Sequence, residues 1–159
     1  MNELLQLLRS NGRESVENLA KMLGQTTAEV QTQIATWEKE GVIRGYQAVI
    51  NEEATEVDYV RAAIEVRITP ERGDGYDRIA RRIGRFPEVE SVFLMSGGYD
   101  LLVFVKDDNL RNVASFVNQR LATIDGVLST ATHFTLKTYK DQGVLMQEDQ
   151  HHERLQVSP

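Results

Sequence analysis

Apolar residues near the start of the chain recur at intervals of three and four, the period of an amphipathic helix. A first helix is predicted around Leu4 and Leu8, and it ends at Gly12. Ser15 is placed to cap the N-terminus of a second helix, and Gly24 follows the last periodic residue of that helix. The pattern therefore predicts two short helices joined by a short turn.

A third helix is predicted directly after this pair. Thr26 and Glu29 have the spacing of a capping box, and Gly41 follows the last periodic residue. Three short helices with a tight turn between the second and the third are typical of a helix-turn-helix, here over about residues 16–35. Other small helical bundles share this pattern, so periodicity alone leaves both interpretations open.

The hydrophobic pattern changes after the third helix. Residues 42–50 have the composition of a strand, and residues 51–58 are polar and indicate a linker. Strand-like and amphipathic helical segments then follow one another: YVRAAIEVRI (59–68), GYDRIARRIGRF (75–86), VESVFLMS (89–96), LLVFV (101–105), NLRNVASFVNQRLA (109–122) and VLSTATHFTLKTY (127–139). The order β-α-β-β-α-β is the ferredoxin-like pattern.

These patterns predict an α+β protein built from four segments. A winged helix-turn-helix domain takes up residues 1–50, and a linker takes up residues 51–58. A ferredoxin-like βαββαβ domain follows at residues 59–140, and a polar C-terminal tail follows at residues 141–159.

The strand at residues 101–105 is apolar on both of its faces, and most of residues 92–95 is apolar as well. An antiparallel sheet with helices on one side normally presents a polar second face to water. Since nothing else in the chain is available to cover an apolar second face, a second copy is expected to pack against it, sheet to sheet. A few hundred Å² of buried apolar area per chain, at about 25 cal/mol per Å², would stabilise that homodimer by several kcal/mol.

Composition and charge narrow the class of protein. The 159 residues include no cysteine, which excludes disulfides and thiolate metal sites. No apolar run is long enough for a membrane span, and the N-terminus lacks the features of a signal peptide, so a cytoplasmic protein without membrane contact is predicted. The net charge of −6 divides into −1, −2 and −3 over residues 1–51, 52–140 and 141–159, so no segment is a basic block.

The hairpin Gly97-Gly98-Tyr99-Asp100 holds more chemistry than a turn requires. Two glycines allow close approach of a ligand, and exposed N–H groups in such a turn can hold a carboxylate. Tyr99 offers an aromatic wall and a hydroxyl, and Asp100 could bind an ammonium group, so the set suits an amino acid. The alternative is a purely structural hairpin in which Asp100 caps backbone N–H groups.

Other polar clusters indicate no catalytic or metal chemistry. No nucleophile–base pair, phosphate loop or metal-ligand spacing is present, so no catalytic residue, metal or cofactor is predicted. Arg81, Arg82 and Arg85 share one helix face and are interpreted as a solvated face. A small dimeric ferredoxin-like enzyme, with His133 or Tyr99 as an acid or base, is an alternative class.

Four segments in this order resemble the Lrp/AsnC family of feast/famine transcriptional regulators: NGRESVENLAKMLGQTTAEV, EKEGVIRGYQAVI, VESVFLMSGGYDLLVFV and GVLSTATHFTLKTYK. The resemblance covers about residues 3–140. It implies a ferredoxin-like domain that binds an effector and oligomerises, with dimers that commonly assemble into octamers. It also implies an amino-acid effector around the 97–100 hairpin, between dimers, with Thr130 and Thr132 as hydroxyl donors.

The same resemblance makes the third helix a recognition helix for double-stranded DNA. The family usually has two or three basic residues there, but the matching positions hold Thr32, Gln33, Ala35 and Thr36. Binding is therefore expected to be weak for one helix, to depend on oligomerisation, and to be lost at moderate salt. The candidate DNA-contacting residues are Thr26, Thr27, Gln31, Thr32, Gln33, Thr36 and Lys39, flanked by Arg13, Lys21 and Arg44.

The sequence thus predicts a sequence-specific DNA-binding transcriptional regulator whose oligomeric domain senses an amino acid or a related small metabolite. It is not predicted to be an enzyme. The alternative is a ligand-sensing ferredoxin-like oligomer with weak or no DNA binding that acts through protein partners, an alternative that the scarcity of basic residues keeps open.

Overall fold

A computed structural model describes residues 2–56, 58–69 and 75–147, and the chain divides into two compact units, Met1–Val49 and Ile50–Pro159. Residues 148–159, most of the predicted polar tail, lie outside the described residues. Within the described residues, no helix combines the length and the hydropathy needed to cross a bilayer.

The first unit consists of three helices, α1 (Glu3–Ser10), α2 (Val16–Leu23) and α3 (Thr27–Glu40). The predicted ends of α2 are confirmed: the Ser15 hydroxyl accepts from the Asn18 N–H, and Gly24 is left-handed with φ of 63°. The three helices bury a small core against one another. Its fully buried members are Leu4, Leu19, Ala20 and Val30, and Ile34 and Trp37 pack against them.

The predicted capping box at the start of α3 is confirmed. The Thr26 hydroxyl accepts from the Glu29 N–H at 3.2 Å, and the Glu29 carboxylate accepts from the Thr26 N–H at 2.8 Å. Gly41, with φ of 73°, ends the helix, as predicted. These local signals give α3 a defined start and stop.

The strand predicted at residues 42–50 is wrong, and with it the wing. The Val42 and Ile43 N–H groups both donate to the Trp37 carbonyl, which completes the C-terminus of α3. Residues 44–50 are exposed and contain no strand. A strand requires a neighbouring strand with which to exchange backbone hydrogen bonds, and none runs beside this segment in the described part of the chain.

The second unit is a four-stranded antiparallel sheet with two helices, as the ferredoxin-like pattern predicts. The elements in chain order are β1 (Val60–Ile68), α4 (Gly75–Ile83), β2 (Val89–Leu94), β3 (Leu101–Asp107), α5 (Leu110–Phe116) and β4 (Val127–Phe134). The strand order across the sheet is β2-β3-β1-β4. The two helices pack on one face of the sheet, where alternate strand residues form the core with them.

The two faces of the sheet follow from the strand register. Ile64 is paired with Val103 on one side and with Thr132 on the other, and directly paired side chains project from the same face. The buried core lies on that helix-covered face. On the opposite face, here called the open face, β3 presents Leu102 and Phe104, and β2 presents Phe93, whose ring meets that of Phe104 edge to face at 6.1 Å.

One helix and one strand of the second unit are shorter than the sequence predicts. The helix predicted at residues 109–122 is α5 followed by a widened turn, Val117–Leu121, closed by the Ala122 N–H donating to the Val117 carbonyl. The strand predicted at residues 127–139 ends at Phe134, which pairs with Ala62, and one further backbone bond follows, from the Thr135 N–H to the Arg61 carbonyl.

The segments assigned to a linker and to a polar tail also take part in the second unit. Residues Glu52–Ala54 form a single 3-10 turn, and the Asn51 side-chain amide donates to the Met146 carbonyl at 2.9 Å. A hairpin of β5 (Lys140–Asp141) and β6 (Val144–Leu145) places the Met146 side chain in a buried position. The predicted boundary at residue 140 therefore passes through this hairpin.

Candidate functional site

One side of α3 faces solvent along its whole length. Val30, Ile34 and Trp37 pack into the core, and the residues on the opposite side of the helix line a shallow depression. These residues, here called the outward stripe, are Ala28, Gln31, Thr32, Ala35, Thr36 and Lys39. The stripe presents one amide, two hydroxyls and one ammonium group, with no carboxylate.

The carboxylates of α3 lie off the outward stripe, and two of them have other partners. Glu29 closes the capping box, and the Thr26 backbone N–H, followed by its hydroxyl, holds the pKa of the Glu29 carboxyl below its usual range. Glu38 accepts a hydrogen bond from the Tyr46 hydroxyl at 3.0 Å. Burial, followed by this neighbouring carboxylate, raises the pKa of Tyr46.

The candidate DNA-contacting residues do not all share this stripe. Thr26 and Thr27 lie at the N-terminus of α3, and the Thr36 hydroxyl donates to the Thr32 carbonyl at 2.8 Å. Gln33 lies on another side of the helix, beside Glu29 and the N-terminus of α1. Adjacency in the sequence makes Gln33 look equivalent to Thr32, whereas helix geometry places the two on different sides of α3.

The flanking basic residues, Arg13, Lys21 and Arg44, are all exposed. Arg44 folds back over the end of α3, so closely that a β-carbon on Gly41 would stand 2.9 Å from its Cζ. The guanidinium therefore lies at the negative end of the helix dipole, which is a favourable position for a cation. Gly41 thus serves both the helix end and the placement of Arg44.

The 97–100 hairpin joins β2 to β3, and Asp100 ties it to β1. The Asp100 Oδ2 accepts from the Ile68 N–H at 2.8 Å, and the Asp100 N–H donates to the Val66 carbonyl at 3.0 Å. Gly97 has φ of 141°, a value that favours glycine, and nothing lies within 4 Å of a β-carbon placed on Gly98. Tyr99 is half-buried.

Thr130 and Thr132 lie on β4, paired with Val66 and Ile64, and so project from the helix-covered face. Asp100 also bonds Val66, so the structure brings the hairpin and Thr130 to the same end of the sheet, on either side of β1. Two strand spacings separate them, about 10 Å.

A polar cluster that was not predicted from the sequence lies at the other end of the sheet. Arg61 lies within 3.2 to 3.5 Å of carboxylate oxygens of Glu52, Glu90 and Asp141. Glu52 also pairs with Lys106, whose ammonium stands 3.7 Å from the centre of the Tyr59 ring. In the sequence, the charged composition of residues 52–58 is the signal that could have indicated this cluster. In the described ranges, no group of three or more acidic or histidine side chains could hold a metal ion.

Comparison with known proteins agrees with this architecture. A family model described as the Lrp/AsnC ligand binding domain matches residues 61–145. An uncharacterized HTH-type transcriptional regulator, YugG of Bacillus subtilis (strain 168), is 46% identical over 158 residues, covering 99% of this chain and 95% of its own length.

Solved structures give the same result. The transcriptional regulator NMB0573 of Neisseria meningitidis, solved as a complex with L-Met, is 25% identical with a TM-score of 0.69, over 89% of this chain and 93% of its own. The leucine response regulatory protein LrpA of Mycobacterium tuberculosis, 24% identical with a TM-score of 0.72 over 92% of this chain and 100% of its own, shares the fold. The chain belongs to the Lrp/AsnC family of helix-turn-helix transcriptional regulators.

Proposed function

We propose that this regulator binds double-stranded DNA through α3 and that an amino acid, sensed at the Asp100 end of the sheet, modulates that binding. The outward stripe is the observation that carries the DNA part. It is a solvent-facing row of amide, hydroxyl and ammonium groups, free of carboxylates, on the third helix of a helix-turn-helix. A major groove admits such a helix and offers hydrogen-bonding partners to those groups.

The contacts divide by chemistry. Gln31 reads base edges, with adenine as the natural partner of a side-chain amide, and Lys39 contacts phosphate. The N–H groups at the start of α3, beside Thr26 and Thr27, hold a second phosphate. Arg13, Lys21 and Arg44 flank the helix and add backbone contacts. One helix with so few cations binds weakly, so affinity depends on several copies engaging one DNA molecule.

The effector proposal combines the hairpin with the neighbouring strand. Asp100 offers a carboxylate for the ammonium group, the exposed N–H groups at Gly97 and Gly98 suit the carboxylate, and Thr130 with Thr132 offers hydroxyls. The match to the ligand-binding domain model and the L-Met complex of NMB0573 support this class of ligand. The competing role of Asp100, capping Ile68, is compatible with binding through its other oxygen.

The open face supports the proposal that the protein oligomerises. Leu102, Phe104 and Phe93 lie there, and no helix of the second unit covers them within its described residues; a second copy of the same face would bury them. We infer a homodimer through this face, assembling further to an octamer. Such an assembly presents several α3 helices to one DNA molecule, which offsets the low charge of each.

The test is selection from fragmented genomic DNA of the source organism by the purified full-length protein, with and without each amino acid. The expected result is enrichment of a few fragments that share a motif, with an enrichment that changes in the presence of one amino acid or a few related ones. Recovery of no fragment above background at low salt would overturn the DNA proposal. Enrichment unaffected by every amino acid would overturn the effector proposal.

One observation favours a second candidate, a sensor that acts on protein partners. Helix α3 contains three glutamates, at positions 29, 38 and 40, against one lysine. A helix with more acidic than basic side chains is compatible with a protein partner. The same selection separates the two, since a protein-directed sensor retains amino-acid binding but enriches no DNA.

A further inference from the structure

Helix α4 carries a row of arginines on its solvent side. Arg78, Arg81 and Arg82 lie in the helix, and Arg85 lies in the turn that continues it, where its N–H donates to the Arg82 carbonyl. Spacings of three and four residues place all four on one side, here called the arginine stripe. Ile79 and Ile83, both buried, lie on the opposite side and fix the orientation of the helix.

The stripe is concentrated and solvent-facing. All four arginines are exposed, and Asp77 pairs with Arg81 at 3.5 Å across a solvated surface. Such an exposed pair is screened and contributes little. Like charges at these spacings repel one another within the helix, and a polyanion lying against them would relieve that repulsion.

The position of α4 leaves the stripe exposed in the proposed dimer. The helix packs against β2 on the helix-covered face, whereas the proposed dimer forms through the open face. Sheet-to-sheet pairing would therefore leave α4 on the outside of the dimer. The stripe extends about 10 Å along the helix axis, at 1.5 Å per residue.

We propose that the arginine stripe is a second DNA contact, which binds the phosphate backbone without reading sequence. A 10 Å length of duplex carries about six phosphate charges, a density that a row of guanidinium groups matches. Arginine presents paired donors to phosphate oxygens. The inference rests on the proposed function, and it addresses the shortage of positive charge in α3: recognition and electrostatic attachment lie on different elements of the chain.

The test measures the salt dependence of binding to a long random-sequence duplex, where phosphate contacts dominate. The triple variant R81A/R82A/R85A removes three cations from each stripe. Each phosphate contact contributes about 0.9 to the slope of log affinity against log salt, so the slope is expected to become shallower by about 2.7 for each stripe in contact. The control R111A/K137A/K140A removes the same charge from exposed positions elsewhere in the domain and is expected to leave the slope within about one contact of wild type.

Three outcomes overturn the inference: an unchanged slope in the stripe variant, an equal loss in the control, or dissociation of the oligomer in the stripe variant, which would make the stripe a subunit contact. Failure of the proposed function has a different signature, because it is read as the absence of an enriched motif in the genomic selection. A stripe that binds duplex non-specifically would still give a salt slope in that case.

Discussion

Asp100 joins two strands through both its side chain and its backbone. Its carboxylate accepts from the Ile68 N–H at a point where the register of β1 with β4 shifts, and β3, which starts at Leu101, offers that N–H no partner. Ile68 is buried, so this N–H would otherwise be unpaired in the core. At this residue a structural role is established by geometry, and a ligand role has to be separated from it by experiment.

Asp100→Asn is expected to make that separation. The amide oxygen still accepts from the Ile68 N–H, so the melting temperature should stay near that of wild type, whereas Asp100→Ala should lose about 1–3 kcal/mol through the unpaired donor. If the carboxylate binds an ammonium group, calorimetry should show amino-acid affinity falling by about tenfold or more in the asparagine variant. Asp108→Asn, at the other end of β3, is the charge-matched control. Wild-type affinity in Asp100→Asn would leave Asp100 with a structural role alone.

Gly126 shows how one residue can fix the approach of a helix to the sheet. Its φ is 93°, and a β-carbon there would lie 2.7 Å from Cδ1 of the buried Ile79. Gly126→Ala is therefore expected to cost about 1–3 kcal/mol in urea unfolding followed by circular dichroism. Gly98→Ala, with no positive φ and no neighbour within 4 Å, should change stability by less than about 0.5 kcal/mol. Equal effects of the two changes would show that backbone strain at Gly126 is unimportant.

At the scale of elements, α3 is defined by its two ends. The capping box holds the pKa of Glu29 below its usual range, through the Thr26 N–H first and the Thr26 hydroxyl second. A folded-state pKa below the unfolded one contributes stability that is present at neutral pH. That stability begins to be lost as the pH falls below about 4.3, the usual pKa of glutamate. The loss is complete once the pH has fallen below the lower pKa of the folded state.

Glu29→Gln should therefore be less stable than wild type at pH 7, and the difference should shrink as the solution is acidified. Fluorescence of Trp37, the only tryptophan in the chain, reports unfolding of the three-helix unit in the full-length protein. The pKa of Glu14 is also lowered, chiefly by its hydrogen bond with the Asn18 amide. Glu14 is present in both proteins, so its contribution cancels when their stabilities are compared. Glu17→Gln is the control, and a pH-independent difference for Glu29→Gln would contradict the role of the cap charge.

The outward stripe of α3 can be tested by adding charge to it. Ala35→Lys places a cation in the middle of the stripe, and Gln33→Lys places the same charge on another side of the helix. Ala35→Lys should steepen the salt slope of DNA binding by about 0.9 for each α3 in contact, because one more phosphate is neutralised. Gln33→Lys should leave the slope unchanged. If both variants steepen it equally, the stripe is not the contact face.

At the scale of the whole molecule, the features that the sequence predicted correctly depend on residues close together in the chain. Ser15, Thr26 and Gly41 act on residues a few positions away, so their roles follow from adjacent letters. The hydrophobic pattern also predicted the order of strands and helices. The bonds from Glu52 to Lys106 and from Asn51 to Met146 join residues 54 and 95 positions apart, and no local pattern encodes them. The failed strand at 42–50 has the same cause, since pairing depends on a distant partner.

The proposed DNA-binding surfaces both depend on the proposed homodimer, and the open face gives its test. Phe93 is half exposed on that face, and its ring contacts Phe104. Phe93→Asp places a charge where a second sheet would pack, so the unpaired carboxylate should oppose association. Sedimentation velocity is expected to show a dimer or larger assembly for wild type and a monomer for this variant.

Leu110→Asp is the matched control, because Leu110 is similarly exposed but lies on α5, on the helix-covered side. It should leave the assembly intact, and circular dichroism should show both variants folded. Since one α3 provides few cations, monomeric Phe93→Asp should also lose DNA binding at salt concentrations where Leu110→Asp retains it. A monomeric variant that still binds DNA like wild type would break the link between the sheet face and DNA binding, and would mean that a single α3 is sufficient.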